Sequence, residues 1–421
     1  MENMHLTYRK SCRVCGSEAL TGVIDLGSQN LQGAFIRSDR PLPPLRKIPM
    51  QLVRCDPTQD ERACGLLQAS LTVPPSILYE SYWYRSGTNA TMRNHLKGIS
   101  DEAARLIGTD TAVAMDIGCN DGTLLRCYPK GFRRVGVDPS DIAKESAGEI
   151  ELVNDFFPSV ALQRLLGESS CDIITSIAMF YDLEQPVDFV RNIRDWLAPE
   201  GIWIFEMSYM PKMLEMNSYD TICHEHLEYY SFAVIEFILR LCGLRVFRVS
   251  FNDINGGSIR CYASHNTCRK YDHPDFQAQV AETRRREFEL ALDTDKPYRE
   301  FQRSIEAHRD ELRKLVTDIK RSGKSIHVYG ASTKGNTILQ WCGIDDAIVT
   351  CAADRNPEKS GARTIGTNIP IVSEEESRAM SPDYYLVLPW HFRDEFVSRE
   401  AESIARGTKL IFPLPKIEII G

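Results

Sequence analysis

The sequence predicts an α/β chain in three parts: a small cysteine-bearing N-terminal domain, then two strand–loop–helix units of the nucleotide-binding kind. Three observations predict it. Cys12 and Cys15, two residues apart, open the chain in "SCRVCGS". The apolar run from Ala112 to Ile117 breaks into the loop "DIGCNDG" and then into a helical stretch. "KSIHVYGASTKGNTILQWCG", beginning at Lys324, repeats that order near the C-terminus.

A chain of 421 residues is long enough for two or three cores. With 26% charged and 43% hydrophobic residues, it has the composition of an ordinary globular protein. The net charge of −8 excludes general binding to a phosphate backbone, which needs a basic footprint; a local site for a small anion is still allowed. No stretch has the length of a membrane span, and "MENMHLTYRKSCRVCGS" has no apolar signal core, so a cytoplasmic location is expected. Most of the 13 cysteines lie in apolar segments such as "CDIITS" and "ILRLCG", which reads as buried free thiols rather than a disulfide framework.

The N-terminal cysteines differ. Cys12 and Cys15 have the spacing of a knuckle that turns two thiolates toward one metal. Cys55 and Cys64, in "RCDPTQDERACGLLQ", supply a second pair, and Cys64-Gly65 echoes Cys15-Gly16. Eight residues separate that second pair, with "DPTQDE" as a loop that lets the chain double back. Four thiolates close a tetrahedral zinc site and leave no open position, so the metal's role would be structural. A part of roughly 70 residues with few long apolar runs needs such a staple. Unliganded thiols are the alternative.

In the middle part, residues 88–108 have helix periodicity and "TAVAMDIGCNDGTLLRCYP" follows. Gly118 and Gly122 let a ligand approach the loop backbone, whose amides suit a polar group. "RRVGVDPS" reads as a second strand closing on Asp138, about 20 positions after Asp116, where an acidic residue can accept from ribose hydroxyls. "IELVNDFF" gives a third strand ending in Asn154-Asp155-Phe156, suited to an adenine ring. "CDIITSIAMFYDL" and "EGIWIFEMSYM" are a fourth and a fifth, with the helix "PVDFVRNIRDWLA" between them. "LRVFRVSFNDINGGSIRCYASH" reads as a closing hairpin around Asn255-Gly256-Gly257.

After the fifth strand comes "NSYDTICHEHLEYYS", with His224, Glu225 and His226 in succession. Ligands of open α/β sheets sit beyond the carboxyl ends of the strands, which places this cluster at the expected reaction centre. A general base, a metal site and buried polarity share these residue types. A metal would need a third ligand, and none stands nearby in the sequence. On a strand the two histidines would share one face, with Glu225 opposite.

Residues 266–322 read as Arg- and Glu-rich helices broken at "DTDKP". The second unit follows, with Gly330, Ser332 and Gly335 in its turn, Lys334 near the helix start and Asp354 closing the next strand. Lys334 and the amides around Thr333 and Asn336 could hold a diphosphate; packing or dimerisation is the blander role.

Five strand–helix units closed by a hairpin, with D-x-G-C-N-D-G in the first loop, resemble a class I S-adenosylmethionine-dependent methyltransferase domain. The G-x-G-x-x-G of a nicotinamide site is missing. Taken with the cysteine-ligated start, "YDTICHEHLEYYS", "VYGASTKGNT" and "LPW", the chain resembles the nucleotide-sugar C-methyltransferases from Cys12 to about Phe412. The resemblance implies a zinc-binding domain over 1–75, a class I methyltransferase (Rossmann-like) domain over 76–265, and a helical segment with a second Rossmann-like, sugar-nucleotide-binding domain over 266–421. It implies two cofactors, S-adenosylmethionine and structural zinc. Asp116, Gly118, Asn120 and Gly122 would embrace the methionine moiety, Asp138 the ribose, and Asp155 and Phe156 the adenine.

The implied substrate is a nucleoside-diphosphate 4-keto-6-deoxy sugar methylated at C3, with no nucleic-acid or membrane partner, in a monomer or homodimer. Tyr84 and Ser86 would hold the sugar, Glu225 and His226 form the active-site pair, and Tyr84, His224 or a water would serve the enolate oxygen. Three features depart from the family pattern: Cys223, a further expected substrate contact, stands where many members have tyrosine, "AMFYDLEQP" lacks a histidine, and the last cysteine pair is stretched. O- or N-methylation of another small molecule, a nicotinamide-dependent sugar-nucleotide oxidoreductase and a non-catalytic scaffold are the competing functions.

Overall fold

A computed structural model describes residues 6–37, 39, 46–74, 77, 78 and 85–421. Three strands of the N-terminal part form one sheet: β1 (Leu20–Gln29), β2 (Ile48–Cys55) and β3 (Leu67–Ala69). Their alternating apolar residues, Ile24 and Leu26 on β1 with Met50 and Leu52 on β2, pack into a core shared with the C-terminal part. The N-terminal sheet is thus more than a loop held by a metal.

Helix α1 (Ala90–Ile107) starts at Asn89, whose side chain accepts from the Thr91 N–H, and stops at Gly108 in the left-handed region. Its buried stripe, Met92, Leu96, Ile99, Ala103 and Ile107, has the spacing that lays a helix on a sheet. That sheet is built from β4 (Val113–Ile117), β5 (Arg133–Val137), β6 (Glu151–Val153), β7 (Cys171–Ile177) and β8 (Leu197–Ser208). α2 (Thr123–Arg126) follows β4 and α3 (Pro186–Trp196) follows β7. After the short β9 (Glu228–Tyr229) and α4 (Phe232–Leu241), β10 (Leu244–Asn252) and β11 (Ser258–His265) close it as the expected hairpin.

The seven strands run in the order β10-β11-β8-β7-β4-β5-β6. β4 to β8 pair in parallel, while β11 is antiparallel to both β8 and β10. Strand order reverses between β4 and β7, and a crevice opens at such a point. Near-continuous apolar strands such as β7 and β8 fit a sheet covered on both faces.

α5 (Pro274–Glu289) and the 26-residue α6 (Lys296–Arg321) lead to the second α/β unit. Its strands are β12 (Ile326–Tyr329), β13 (Ala352–Asp354), β14 (Ile371–Ser373), β15 (Tyr384–Val387), β16 (Lys409–Phe412) and β17 (Glu418–Ile420), with α7 (Thr333–Cys342) after β12. The order β14-β13-β12-β15-β16-β17, parallel except for β17, reverses between β12 and β15.

The three parts interlock. β9 joins the N-terminal sheet beside β3, pairing Glu228 with Gln68 and Tyr229 with Leu67. Phe35–Ile36 pairs with Arg363–Thr364 of the C-terminal part. Among the described residues no helix is long and apolar enough to cross a membrane.

Candidate active site

The two switch-point crevices open into one cavity of about 1060 Å³, which also receives residues from the N-terminal part and from the turn before β9. On the β4 side the loop backbone is wound tightly, with Gly118 at φ 75° and Gly122 at φ 75°, a region that costs glycine little. Asp116, 3% exposed, accepts from the Thr175 hydroxyl at 2.6 Å, and burial followed by the nearby Asp138 pushes its carboxyl up to about 7. Asp138 accepts from the N–H of Asn120 at 2.8 Å on Oδ2 and from that of Ser140 at 2.8 Å on Oδ1. Each carboxylate oxygen keeps lone-pair capacity for a hydroxyl. Asp155 and the 56% exposed Phe156 line the same end.

Residues 86–88 clamp this loop from above. Ser86 N–H donates to Asn120 Oδ1 at 2.9 Å and Gly87 N–H to Asp121 Oδ2 at 2.7 Å. Ser86 therefore sits against the glycine loop, at the cavity wall. Tyr84 lies outside the described residues.

The cluster at 224–226 is not on a strand. His226 N–H donates to the Cys223 carbonyl at 3.2 Å, closing a turn. Strand parity would have kept the histidines together; the turn instead brings Glu225 and His226 to the cavity and sends His224 inward. His224 Nδ1 meets Gln32 Oε1 at 2.7 Å in the core, so it does not reach a substrate oxygen. Cys223 is fully buried behind the same turn and does not line the cavity, against the expectation of a substrate contact.

His226 Nδ1 lies 2.6 Å from the Thr221 carbonyl. A carbonyl only accepts, so Nδ1 carries the proton and Nε2 presents a lone pair. Tyr181 packs edge-on at 4.4 Å between ring centroids and fixes the ring plane. Burial, then the charge of Lys334, pushes the imidazole down to about 4. Burial pushes the Glu225 carboxyl up. A methyl group added at Gly33 would displace Glu225 Oε1.

From the second unit, Lys334, His391 and Thr333 line the cavity. Asn336 does not: it is 1% exposed and its amide donates to the Gln32 carbonyl at 2.7 Å, joining α7 to the N-terminal part. It therefore holds chain segments together where the sequence suggested a diphosphate contact. Sequence reasoning passed over Gly33, Glu206, Ser258 and His391, which come from distant parts of the chain. The "LPW" segment was the one local signal for His391.

The four N-terminal cysteines converge as expected. Their sulfurs lie within 4.8 Å of one another, with Cys12 to Cys64 at 3.6 Å and Cys15 to Cys55 at 3.4 Å. Zinc–sulfur bonds of about 2.3 Å in a tetrahedron place sulfurs about 3.8 Å apart, so the thiols fit zinc. All 13 cysteines are free of disulfides.

Family models match in the same order along the chain. A zinc binding domain matches residues 12–79, a methyltransferase domain 92–249 and a C-methyltransferase C-terminal domain 253–415. The chain carries the three domains of these models in order and is a C-methyltransferase. The C-methyltransferase NovU of Streptomyces niveus is 29% identical over 421 residues, covering 97% of this chain and 96% of that protein. A malonyl-[acyl-carrier protein] O-methyltransferase of Halalkalibacterium halodurans is 28% identical over 123 residues, 27% of this chain and 45% of its own. Among solved structures, an S-adenosylmethionine-dependent methyltransferase from Clostridium acetobutylicum is 12% identical, covers 41% of this C-methyltransferase and 92% of its own chain, and has a TM-score of 0.34. An overlap that low says nothing about activity.

S-adenosylmethionine is the cofactor of this C-methyltransferase, and the crevice at β4 fits it. It offers buried carboxylates for a cationic methionine and a ribose, and an exposed aromatic ring beside Asp155 for an adenine. Removing the Asp138 carboxylate as alanine should weaken S-adenosylmethionine binding about tenfold to a hundredfold, the value of hydrogen bonds to a charged group. Titration calorimetry checks this.

Proposed function

We propose that this C-methyltransferase adds a methyl group to C3 of a nucleoside-diphosphate-linked 4-keto-6-deoxy sugar, with His226 as the base that makes that carbon nucleophilic. The observation that carries the proposal is the imidazole itself, with Nδ1 committed to the Thr221 carbonyl and Nε2 unprotonated at the cavity. A hydrogen beside a ketone can be removed because its electron pair delocalises onto oxygen, and a positioned histidine is suited to take it. O- or N-methylation starts from an acceptor that already has a lone pair and does not need a base strong enough to remove a carbon-bound proton. Glu225, beside His226, binds a sugar hydroxyl or orients the base. Ser86, and Tyr84 by position, hold the sugar.

Asp116, Gly118, Asn120, Gly122, Asp138, Asp155 and Phe156 hold S-adenosylmethionine. When bound, it supplies a sulfonium-linked methyl that a carbon nucleophile can take. The zinc-binding part, taken as residues 1–75, carries no step. Its sheet includes β9, two residues after His226, and so braces the catalytic turn. Residues 76–265 act as the methyl-transfer part and 266–421 as the sugar-nucleotide part.

The test is mass spectrometry of the products formed from S-adenosylmethionine and a panel of deoxythymidine- and guanosine-linked 4-keto sugars. Gain of one methyl on a sugar supports the proposal. S-adenosylmethionine binding without methylation of any member would move the acceptor outside keto sugars.

The pH profile gives a second check. A base with its folded pKa near 4 rather than 6.5 is unprotonated throughout the neutral range. kcat/KM should stay flat from neutrality to about pH 5 and fall below it. An acid limb centred near 6.5 would show that His226 is not held as described. Between those pH values the unfolded chain binds more protons at this group, so its effect on stability is full above 6.5 and is lost as the pH falls toward 4.

A further inference from the structure

One cation in the cavity has no part in the chemistry so far. Lys334 is the second residue of α7, whose start is fixed by Ser332 Oγ accepting from the Gly335 N–H at 3.0 Å. Its Nζ donates to the Asn255 carbonyl at 2.8 Å, in the turn between β10 and β11. The side chain thus spans from the C-terminal unit to the middle sheet and lines the same cavity as Glu225 and His226. Thr337, one helical turn on, donates to the Ile222 carbonyl at 3.3 Å, which ties α7 to the segment carrying His226.

No carboxylate comes within 4 Å of Lys334 among the described residues. The nearest acidic influence, Asp220, gives its Oδ2 to the indole N–H of Trp390 at 2.9 Å. Burial pushes the Lys334 ammonium down, with Asp220 only partly opposing. A half-buried ammonium whose hydrogen bond goes to a neutral carbonyl is poorly neutralised, and an arriving anion offsets that.

Two anions are available in the proposed chemistry: the diphosphate of the substrate, and the oxygen that turns negative when the carbon-bound proton leaves. Position favours the second. Lys359 and Arg355 lie at the end of β13, with Lys359 Nζ on the Ala331 carbonyl at 2.6 Å and 3.5 Å from Asp354, and Arg355 3.7 Å from Glu374. Lys334 instead lines the cavity together with His226 and His391, and its charge opposes protonation of both. As His226 takes a proton it gains positive charge facing this ammonium. An oxyanion forming between them offsets both charges.

We propose that Lys334 donates a hydrogen bond to the ketone oxygen of the substrate and stabilises the enolate formed when His226 removes the neighbouring proton. In that step the C3–H bond breaks, its proton goes to Nε2 of His226, and its electron pair forms the C3–C4 double bond. The carbonyl π pair moves to the oxygen facing Lys334. When C3 bonds to the methyl, the pair returns from oxygen to restore the ketone and the sulfur keeps the pair of its broken bond. The role rests on the keto-sugar reading above.

The experiment separates proton removal from methyl transfer. The full-length enzyme, loaded with S-adenosylhomocysteine, is incubated in deuterium oxide with the panel of 4-keto sugar nucleotides, and deuterium at the sugar carbons is read by mass spectrometry. Lys334→Met should lower both deuterium uptake and methyl transfer about 10²–10³-fold, the effect of losing one oxyanion donor, with KM for the sugar nucleotide nearly unchanged. Lys334→Arg should recover part of each rate. Lys334→Gln serves if the methionine variant melts early, with S-adenosylmethionine binding as the control of folding. A raised KM with unchanged kcat would make Lys334 a diphosphate anchor and overturn the role. Wild type that exchanges deuterium, with Lys334→Met equally fast, overturns it too. Wild type that exchanges no keto sugar at all overturns the parent reading and this role together.

Discussion

Replacing His226 with alanine is expected to lower methyl transfer by about 10²–10⁴-fold, the usual contribution of a positioned general base, while S-adenosylmethionine still binds. The residues that fit the cofactor, Asp116 and Asp138, are held by Thr175, Asn120 and Ser140, which belong to the β4 crevice and not to the 223–226 turn. The cofactor crevice should therefore survive the substitution. The deuterium-exchange rate should fall with the methylation rate, since both need the proton removed. Glu225 is the rival base in the same turn. Burial pushes its carboxyl up, toward the protonated form. Glu225→Gln should then keep more of the exchange rate than His226→Ala. The reverse order would transfer the role of base to Glu225.

Removing zinc should have the second large effect, on a step in which the metal takes no part. Structural zinc sites contribute free energies on the order of 10 kcal/mol in isolated zinc-finger peptides. Here the loss is cushioned, because Ile24, Leu26, Met50 and Leu52 pack into the large core shared with α6 and the second sheet. The expected result is a lowered melting temperature with local loss of order around Cys12–Cys15 and Cys55–Cys64, without global unfolding. Activity should fall too. Arg13, next to Cys12, donates to the Ala69 carbonyl at 2.8 Å and to the Thr72 hydroxyl at 2.7 Å, and β3 carries β9 behind the His226 turn. Activity measured before chelation, after it and after zinc is restored checks this, alongside cobalt absorbance as a readout of the four thiolates. Full activity in the metal-free protein would sever the link from zinc to catalytic turn.

How far the sequence reveals this site depends on how local each feature is. The loop 116–122, Asp138 and the hairpin at 255–257 could be read because strand, glycine turn and acidic residue fall within one stretch of chain. The cysteines could be paired because a knuckle is a local geometry. The 224–226 cluster could be placed but not oriented. Its facing depends on a turn closed from His226 to Cys223 and on Gln32, nearly two hundred residues away, receiving His224. The same long-range packing withdraws Asn336, whose amide serves the Gln32 carbonyl. Lys334 was visible as a cation at a helix start, which suggests a phosphate. That its tip reaches the Asn255 turn follows only from how the second unit docks on the first.

The most direct test of the account uses S-adenosylmethionine carrying a ¹³C methyl group, with product analysis by NMR on whichever keto sugar nucleotide the enzyme accepts. The account predicts a labelled methyl coupled to the ring carbon beside the ketone, formed about 10²–10⁴-fold more slowly when His226 is alanine. A labelled methyl attached through oxygen or nitrogen, or one transferred as fast by the His226→Ala enzyme, would contradict it.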